Sequence, residues 1–152
     1  MNAGRAARPL DESALGHLVG YAASRAALEL RKGFTRHMEP LGLRVPEFSI
    51  LMLVAANGAV NQKQLGQALD ISPPNMAVTI DRMVEHGWVE RVRGTHDRRA
   101  QHIHLTEQGR ALAERSHAVS LTMEEPALAA LSRAERALLI ELLGKITRSP
   151  PG

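Results

Sequence analysis

The sequence predicts a mainly α-helical fold with one small β-hairpin. Three observations carry the prediction. Apolar residues recur at steps of three and four through most of the chain, which is the helical period. The stretch 61–109, NQKQLGQALDISPPNMAVTIDRMVEHGWVERVRGTHDRRAQHIHLTEQG, reads as helix, turn, helix and then a basic hairpin. The longest apolar helical patterns lie at the two chain ends, outside that unit.

The first helix is expected from Ser13 to about Met38. Leu15, Leu18, Val19, Ala22, Ala26, Leu30 and Phe34 form its apolar stripe. Ser13 is placed to cap it, and Pro40 with Gly42 stops it. Pro46 suits the first turn of a second helix, where a missing N–H costs nothing, and Asn57-Gly58 closes it. Asn61 and Gln64 have the spacing of a capping box, so a third helix covers Gln62 to Leu69. Asp70, Ile71 and Ser72 form the turn, Ser72 caps the fourth helix, and Pro73 opens it. That helix runs to His86 and is ended by Gly87. On it, Met76, Ile80, Met83 and Val84 fall within about a third of the circumference and should face the core.

Val89 to Arg93 and Ala100 to Leu105 read as two short strands joined through Gly94-Thr95-His96-Asp97. Thr106 can cap a fifth helix carrying Leu112, Val119, Leu121 and Met123, interrupted by Pro126. Ser132 and Glu135 form a capping box for a sixth, with Leu138, Leu139, Leu142, Leu143 and Ile146 on it. No period of about 20 to 50 residues repeats.

Composition narrows the function. At 152 residues the chain fits one unit, with enough core to fold alone. The longest apolar run, from Ile50 to Ala56, is far short of a bilayer span. The first residues lack the apolar core of about 7 to 15 residues that a secretory signal requires, so a cytoplasmic location is expected. With 0 cysteines, disulfides and thiolate metal sites are excluded. The net charge is only +3, so placement matters more than total: Arg91, Arg93, Arg98 and Arg99 crowd one segment against Glu90 and Asp97, a footprint suited to a polyanion. There is no H-E-x-x-H, G-x-S-x-G, P-loop or dinucleotide fingerprint, so no enzyme and no cofactor is expected.

A helix-turn-helix sets its second helix in the DNA major groove, and residues near that helix's N-terminus reach base edges. The fourth helix turns Pro74, Asn75, Val78 and Arg82 away from the core, with Thr79 at the margin. Asn75 has the groups to pair with adenine, or to satisfy backbone near the cap. Val78 can meet a thymine methyl. Arg82 serves either DNA or a neighbouring carboxylate, with Asp81 adjacent. Ser72 can donate to a phosphate at the helix N-terminus. In the hairpin, Arg93 and Arg98 flank the tip and suit phosphates or a narrow minor groove. Asp97 is better fitted to hold Arg99 or Arg82 than to approach phosphate. His102 and His104 share a strand face as two metal ligands would, but no further ligand lies at a telling spacing, and no metal site is expected.

These residues, the helix pair, DRMVEHGWVER and then HDRRAQHIHLTEQG, resemble the MarR family of winged-helix transcriptional regulators. Asp97-Arg98-Arg99 followed by Leu105-Thr106 and Gly109 is the most specific part of the likeness, which covers nearly the whole chain. The resemblance implies a winged helix-turn-helix lobe over 46–106 and dimerisation helices over 13–45 and 107–148, within one unit of 1–152. It implies a homodimer on a palindromic operator in double-stranded DNA, with repression relieved by a small molecule. Pro74 and Asn75 stand where the family often has small hydroxyl residues, and Val78 where a basic residue is frequent, so base preference does not carry across. Effectors in the family lodge near the first, second and fifth helices. His17, Tyr21 and Arg25, at steps of four, would offer a ring, a phenol and a guanidinium to an aromatic carboxylate or its CoA thioester. Two rival readings are a winged helix used as a protein-interaction module and a His-dependent metal-binding regulator.

Overall fold

A computed structural model describes residues 9–95 and 101–148. In chain order the elements are α1 (Val19–Met38), α2 (Val45–Asn57), α3 (Gln62–Leu69), α4 (Pro73–Glu85), β1 (Val89–Arg93), β2 (Gln101–Leu105), α5 (Glu107–Ser120) and α6 (Arg133–Arg148). The predicted fold class is the observed one: helices around a single antiparallel hairpin.

Local chemistry sets most element boundaries. Asn61 accepts from the Gln64 N–H at 2.8 Å while Gln64 accepts from the Asn61 N–H at 2.9 Å, so both halves of the predicted capping box form at the start of α3. The box at α6 also closes, with Glu135 accepting from the Ser132 N–H at 2.7 Å and Ser132 accepting from the Glu135 N–H at 3.3 Å. Thr106 caps α5 by accepting from the Gly109 N–H at 3.0 Å.

The N-terminal expectation fails in one respect. Ser13 does not start the first helix. Residues Ser13–Leu15 make a single 3₁₀ turn, and α1 begins at Val19 after an extended Leu18. The helical spacing of Leu15 and Leu18 misled: the chain is extended at Leu18, and both side chains are exposed. Ser72 occupies the cap position of α4 but its side chain makes no capping bond. The fifth helix is shorter than expected, ending at Ser120, with Leu121 exposed beyond it.

The core lies where α2, α4 and the hairpin meet. Ile50, Leu51 and Val54 from α2 pack with Met76, Ile80 and Met83 from α4 and with Ile103 from β2. Each fully buried side chain of this size contributes roughly 1.5–3 kcal/mol. Val84, expected inside, is 36% exposed and lies at the rim. Phe34 of α1 meets Phe48 of α2 edge-on, ring centroids 5.6 Å apart, and fixes the end of α1 against the core. The Ile103 N–H donates to Val60 at 2.6 Å, stitching the hairpin to the segment before α3.

The base of the hairpin is locked by a close backbone approach. A Cβ on Gly109 would lie 1.8 Å from the Trp88 carbonyl oxygen, so only glycine lets α5 start beside Trp88. Thr106 reinforces the junction, its N–H donating to the Trp88 carbonyl at 3.1 Å and its hydroxyl to the Gly87 carbonyl. The hairpin thus leaves the core from a fixed base.

α6 differs from the other helices. It buries none of its residues, and Leu138, Leu139, Ile140, Leu142, Leu143 and Ile146 are all exposed. Among the described residues no helix is long and apolar enough to cross a membrane.

Candidate nucleic-acid interface

α4 is anchored by its back half and open at its front. Pro74, Asn75 and Val78 are exposed, Val78 by 68%. Ser72 is exposed at the N-terminus with its hydroxyl unused by the helix. Thr79 is half-buried, and its hydroxyl donates to the Asn75 carbonyl at 2.9 Å. This leaves a shallow ridge with the helix N-terminus at one end, which carries the positive end of the peptide dipoles.

Arg82 is placed differently from its neighbours. Its Nε meets Oε1 of Glu47 at 3.1 Å, and Glu47 is only 2% exposed. The other carboxylate oxygen of Glu47 accepts from the Arg44 N–H at 2.8 Å. One buried carboxylate therefore caps α2 and grips α4. Asp81 does not orient Arg82, as its adjacency suggested; it faces the hairpin, where Arg91 donates to it at 2.6 Å. Nε of Arg91 also donates to Gln62 at 3.2 Å. Arg91 thus ties β1 to both α3 and α4.

Sequence reasoning missed Glu47. The one available sign was its place at the third position of α2, where a glutamate caps the helix; its ion pair with a residue 35 positions on left no local trace. The structural role of Arg91 was missed too, having been counted with the DNA-facing arginines.

Arg93 is exposed at the end of β1, paired in register with Gln101. Asp97, Arg98 and Arg99 lie outside the described residues. In the strands, Val92 pairs with His102 and Glu90 with His104. Nδ1 of His102 is buried and has no hydrogen-bond partner among the described residues. No group of three or more His, Asp or Glu that could hold a metal occurs among the described residues.

The proposed effector stripe loses its geometric basis. His17 precedes α1, so it does not share a helical face with Tyr21 and Arg25. His17 and Arg25 are exposed, and the half-buried Tyr21 donates its phenol proton to Glu12 at 2.6 Å. That bond, the largest influence on the phenol, raises its pKa above 10.0. A recess of about 730 Å³ lies elsewhere, between α2, β2 and α5. Phe48 and Met52 supply apolar wall, and His104, Arg110, Glu114 and His117 supply polar groups.

The helix-turn-helix, the hairpin pinned beside it and the exposed front of α4 define a winged-helix DNA-binding protein. Comparison with known proteins places it more narrowly. Residues 41–100 match the MarR family. The HTH-type transcriptional regulator YwoH of Bacillus subtilis (strain 168) is 30% identical over 113 residues, covering 74% of this chain and 81% of YwoH. The transcriptional repressor CouR bound to a 23-mer DNA duplex superposes with a TM-score of 0.86 at 32% identity, over 93% of this chain and 100% of CouR. CouR bound to p-coumaroyl-CoA gives 0.82 at 31% identity, over 93% and 99%. The chain belongs to the MarR family and is a DNA-binding transcriptional regulator.

Proposed function

We propose that the chain acts in the cytoplasm as a homodimeric, ligand-responsive repressor on a palindromic operator. The observation that carries the DNA reading is the exposed N-terminal half of α4, held rigid by the Glu47–Arg82 and Asp81–Arg91 pairs behind it. Ser72, Pro74, Asn75, Val78 and Thr79 then face the major groove, while Arg93, with Arg98 and Arg99, supplies the wing contacts and Asp97 orients them. Arg82, spent on Glu47, supports the reading helix from behind. The winged-helix lobe of 46–106 is flanked by dimerisation helices in 13–45 and 107–148.

The bare apolar face of α6 supports the dimer, and Leu15, Leu18 and Val19 are exposed as well. Contiguous apolar surface of this extent marks an association site. For the effector, the recess between α2, β2 and α5 is better suited than the line of His17, Tyr21 and Arg25. Its volume falls in the range of small-molecule sites, with apolar walls and a few polar groups. A small aromatic carboxylate or its CoA thioester fits this chemistry, in keeping with the p-coumaroyl-CoA bound by CouR.

Footprinting on the DNA flanking the chain's own gene tests the whole reading. Two protected half-sites about one helical turn apart are expected, and protection should be lost on adding p-coumaroyl-CoA or an aromatic acid of similar size. Salt-independent binding, or protection of a single half-site, contradicts the proposal.

A further inference from the structure

We propose that α4 of this chain selects adenine–thymine pairs, Val78 packing on the C5-methyl group of a thymine and Asn75 pairing with the adenine of the neighbouring base pair. The preference rests on the reading of the chain as a DNA-bound regulator. It starts from what the exposed ridge lacks. From Pro73 to Thr79 the helix carries no charged side chain. In the major groove a guanine is recognised by an arginine or lysine donating to O6 and N7, and a cytosine by a carboxylate accepting from N4. The first such groups further along α4 already have partners: Asp81 accepts from Arg91 at 2.6 Å, and Arg82 meets Glu47 at 3.1 Å. What remains at the front is one amide, on Asn75, beside the exposed apolar groups of Pro74 and Val78.

Asn75 is available to a base. It stands at the third position of α4, from which a side chain can reach back to the N-cap amide, yet its amide makes no hydrogen bond among the described residues. Only its backbone carbonyl is engaged, by the Thr79 hydroxyl at 2.9 Å. The amide offers one acceptor and one donor side by side, the pair that N6 and N7 of adenine require. The helix start itself is a poor phosphate anchor. Pro73 and Pro74 have no N–H, so two of the four amides that a helix N-terminus would turn to an anion are missing.

Val78 supplies the second contact. Three residues beyond Asn75, it lies about 60° round the helix and about 4.5 Å along it. Successive base pairs are about 3.4 Å apart, so the two side chains meet adjacent pairs. Thymine is the one standard base that presents a methyl group to the major groove. An isopropyl group that is 68% exposed gains by burying against that methyl and has nothing to offer the polar edge of a G·C pair.

The test is selection of duplexes by the full-length chain from a synthetic random library, followed by anisotropy on the selected duplex. Adjacent A·T pairs are expected in each half-site. Wing arginines in a narrow minor groove would also favour A·T pairs, so each thymine is next replaced in turn by deoxyuridine. That change keeps the pairing and every minor-groove group and removes only the C5-methyl. One replacement per half-site should weaken binding roughly fourfold, the worth of one buried methyl. Val78→Ala should bind the thymine and uracil duplexes within about twofold of each other. Asn75→Ala should lose roughly tenfold of the preference for adenine at the neighbouring pair. Both side chains are exposed, so the variants keep the fold. Selection of G·C pairs at the contacted positions, uracil without effect at every position, or a uracil effect that persists in Val78→Ala overturns the proposal while the regulator reading stands. A wild-type chain that enriches no sequence overturns both.

Discussion

Arg82→Ala separates a structural clamp from a DNA contact. In the wild type, Glu47 is 2% exposed and has two partners, the Arg44 N–H at 2.8 Å and Arg82 Nε at 3.1 Å. Truncating Arg82 leaves the carboxylate buried with one partner. Breaking a buried ion pair from one side costs about 3–5 kcal/mol. The Arg82 side chain is 28% exposed and Glu47 keeps its backbone donor, which places the expected loss near the lower end, about 3 kcal/mol. For a chain of this length that corresponds to a fall in Tm of roughly 6–12 °C. The assay is urea unfolding followed by helical circular dichroism at fixed protein concentration, because dimer dissociation would contribute to the apparent stability. The second readout is the slope of log DNA affinity against log salt, taken well below the melting transition. Arg82→Ala should leave that slope unchanged, whereas Arg93→Ala lowers it by about one unit. A stability loss under about 1 kcal/mol together with a slope reduced by one would refute the clamp and make Arg82 a phosphate ligand.

Three other perturbations probe the supports of the interface. Gly109→Ala drives a Cβ to 1.8 Å from the Trp88 carbonyl, so backbone must part from backbone; a loss of at least about 3 kcal/mol is expected, and a Tm within a degree or so of wild type would contradict it. Asp81→Ala frees Arg91 from α4, and because Asp81 is 60% exposed the stability change should stay within about 1 kcal/mol. DNA affinity measured by anisotropy should nonetheless fall several-fold as the wing loses its register, although a negative charge has been removed; equal or tighter binding rules this out. Glu135, held below its ordinary pKa of 4.5 chiefly by the Ser132 N–H, caps α6 at neutral pH. A lowered folded pKa means that the stabilisation is present above 4.5 and lost as pH falls through the folded value. Amide protection in the first turn of α6, taken relative to the intrinsic exchange rate at each pH, should fall on acidification in the wild type and not in Glu135→Gln.

The parts of this protein that were legible in its sequence are those decided within a few residues. Asn61 and Gln64 announce α3 because each satisfies a free amide of the other's turn, and Pro73 announces α4 because its ring suits a first turn. Gly109 was legible only as part of a family pattern; its physical reason, the Trp88 carbonyl against it, needs the folded chain. The same holds for Arg82. Its neighbour in sequence is Asp81, yet consecutive helical residues point about 100° apart, so the two side chains serve different elements. Val84 was counted in the core on angular grounds and lies at its rim, since a helix stripe wider than its partner leaves an edge uncovered. His17 falls on the first helix if the apolar spacing is followed back to Leu15, but the chain is extended at Leu18 and the helix begins only at Val19.

Adjacent positions on one helix thus do opposite jobs. Arg82 reaches back to Glu47 on α2, and Asp81 reaches sideways to Arg91 on β1. Together they fix the rear of α4 to the core and to the wing, leaving Pro74, Asn75 and Val78 at the front without structural duties. Arg91 extends the same tie to Gln62 of α3. A reading helix held in this way is coupled to the wing through the Asp81–Arg91 pair. Any signal that alters DNA binding must then either move α2, α3, α4 and the hairpin together, changing the spacing between two such units in a dimer, or act on one of the two ion pairs.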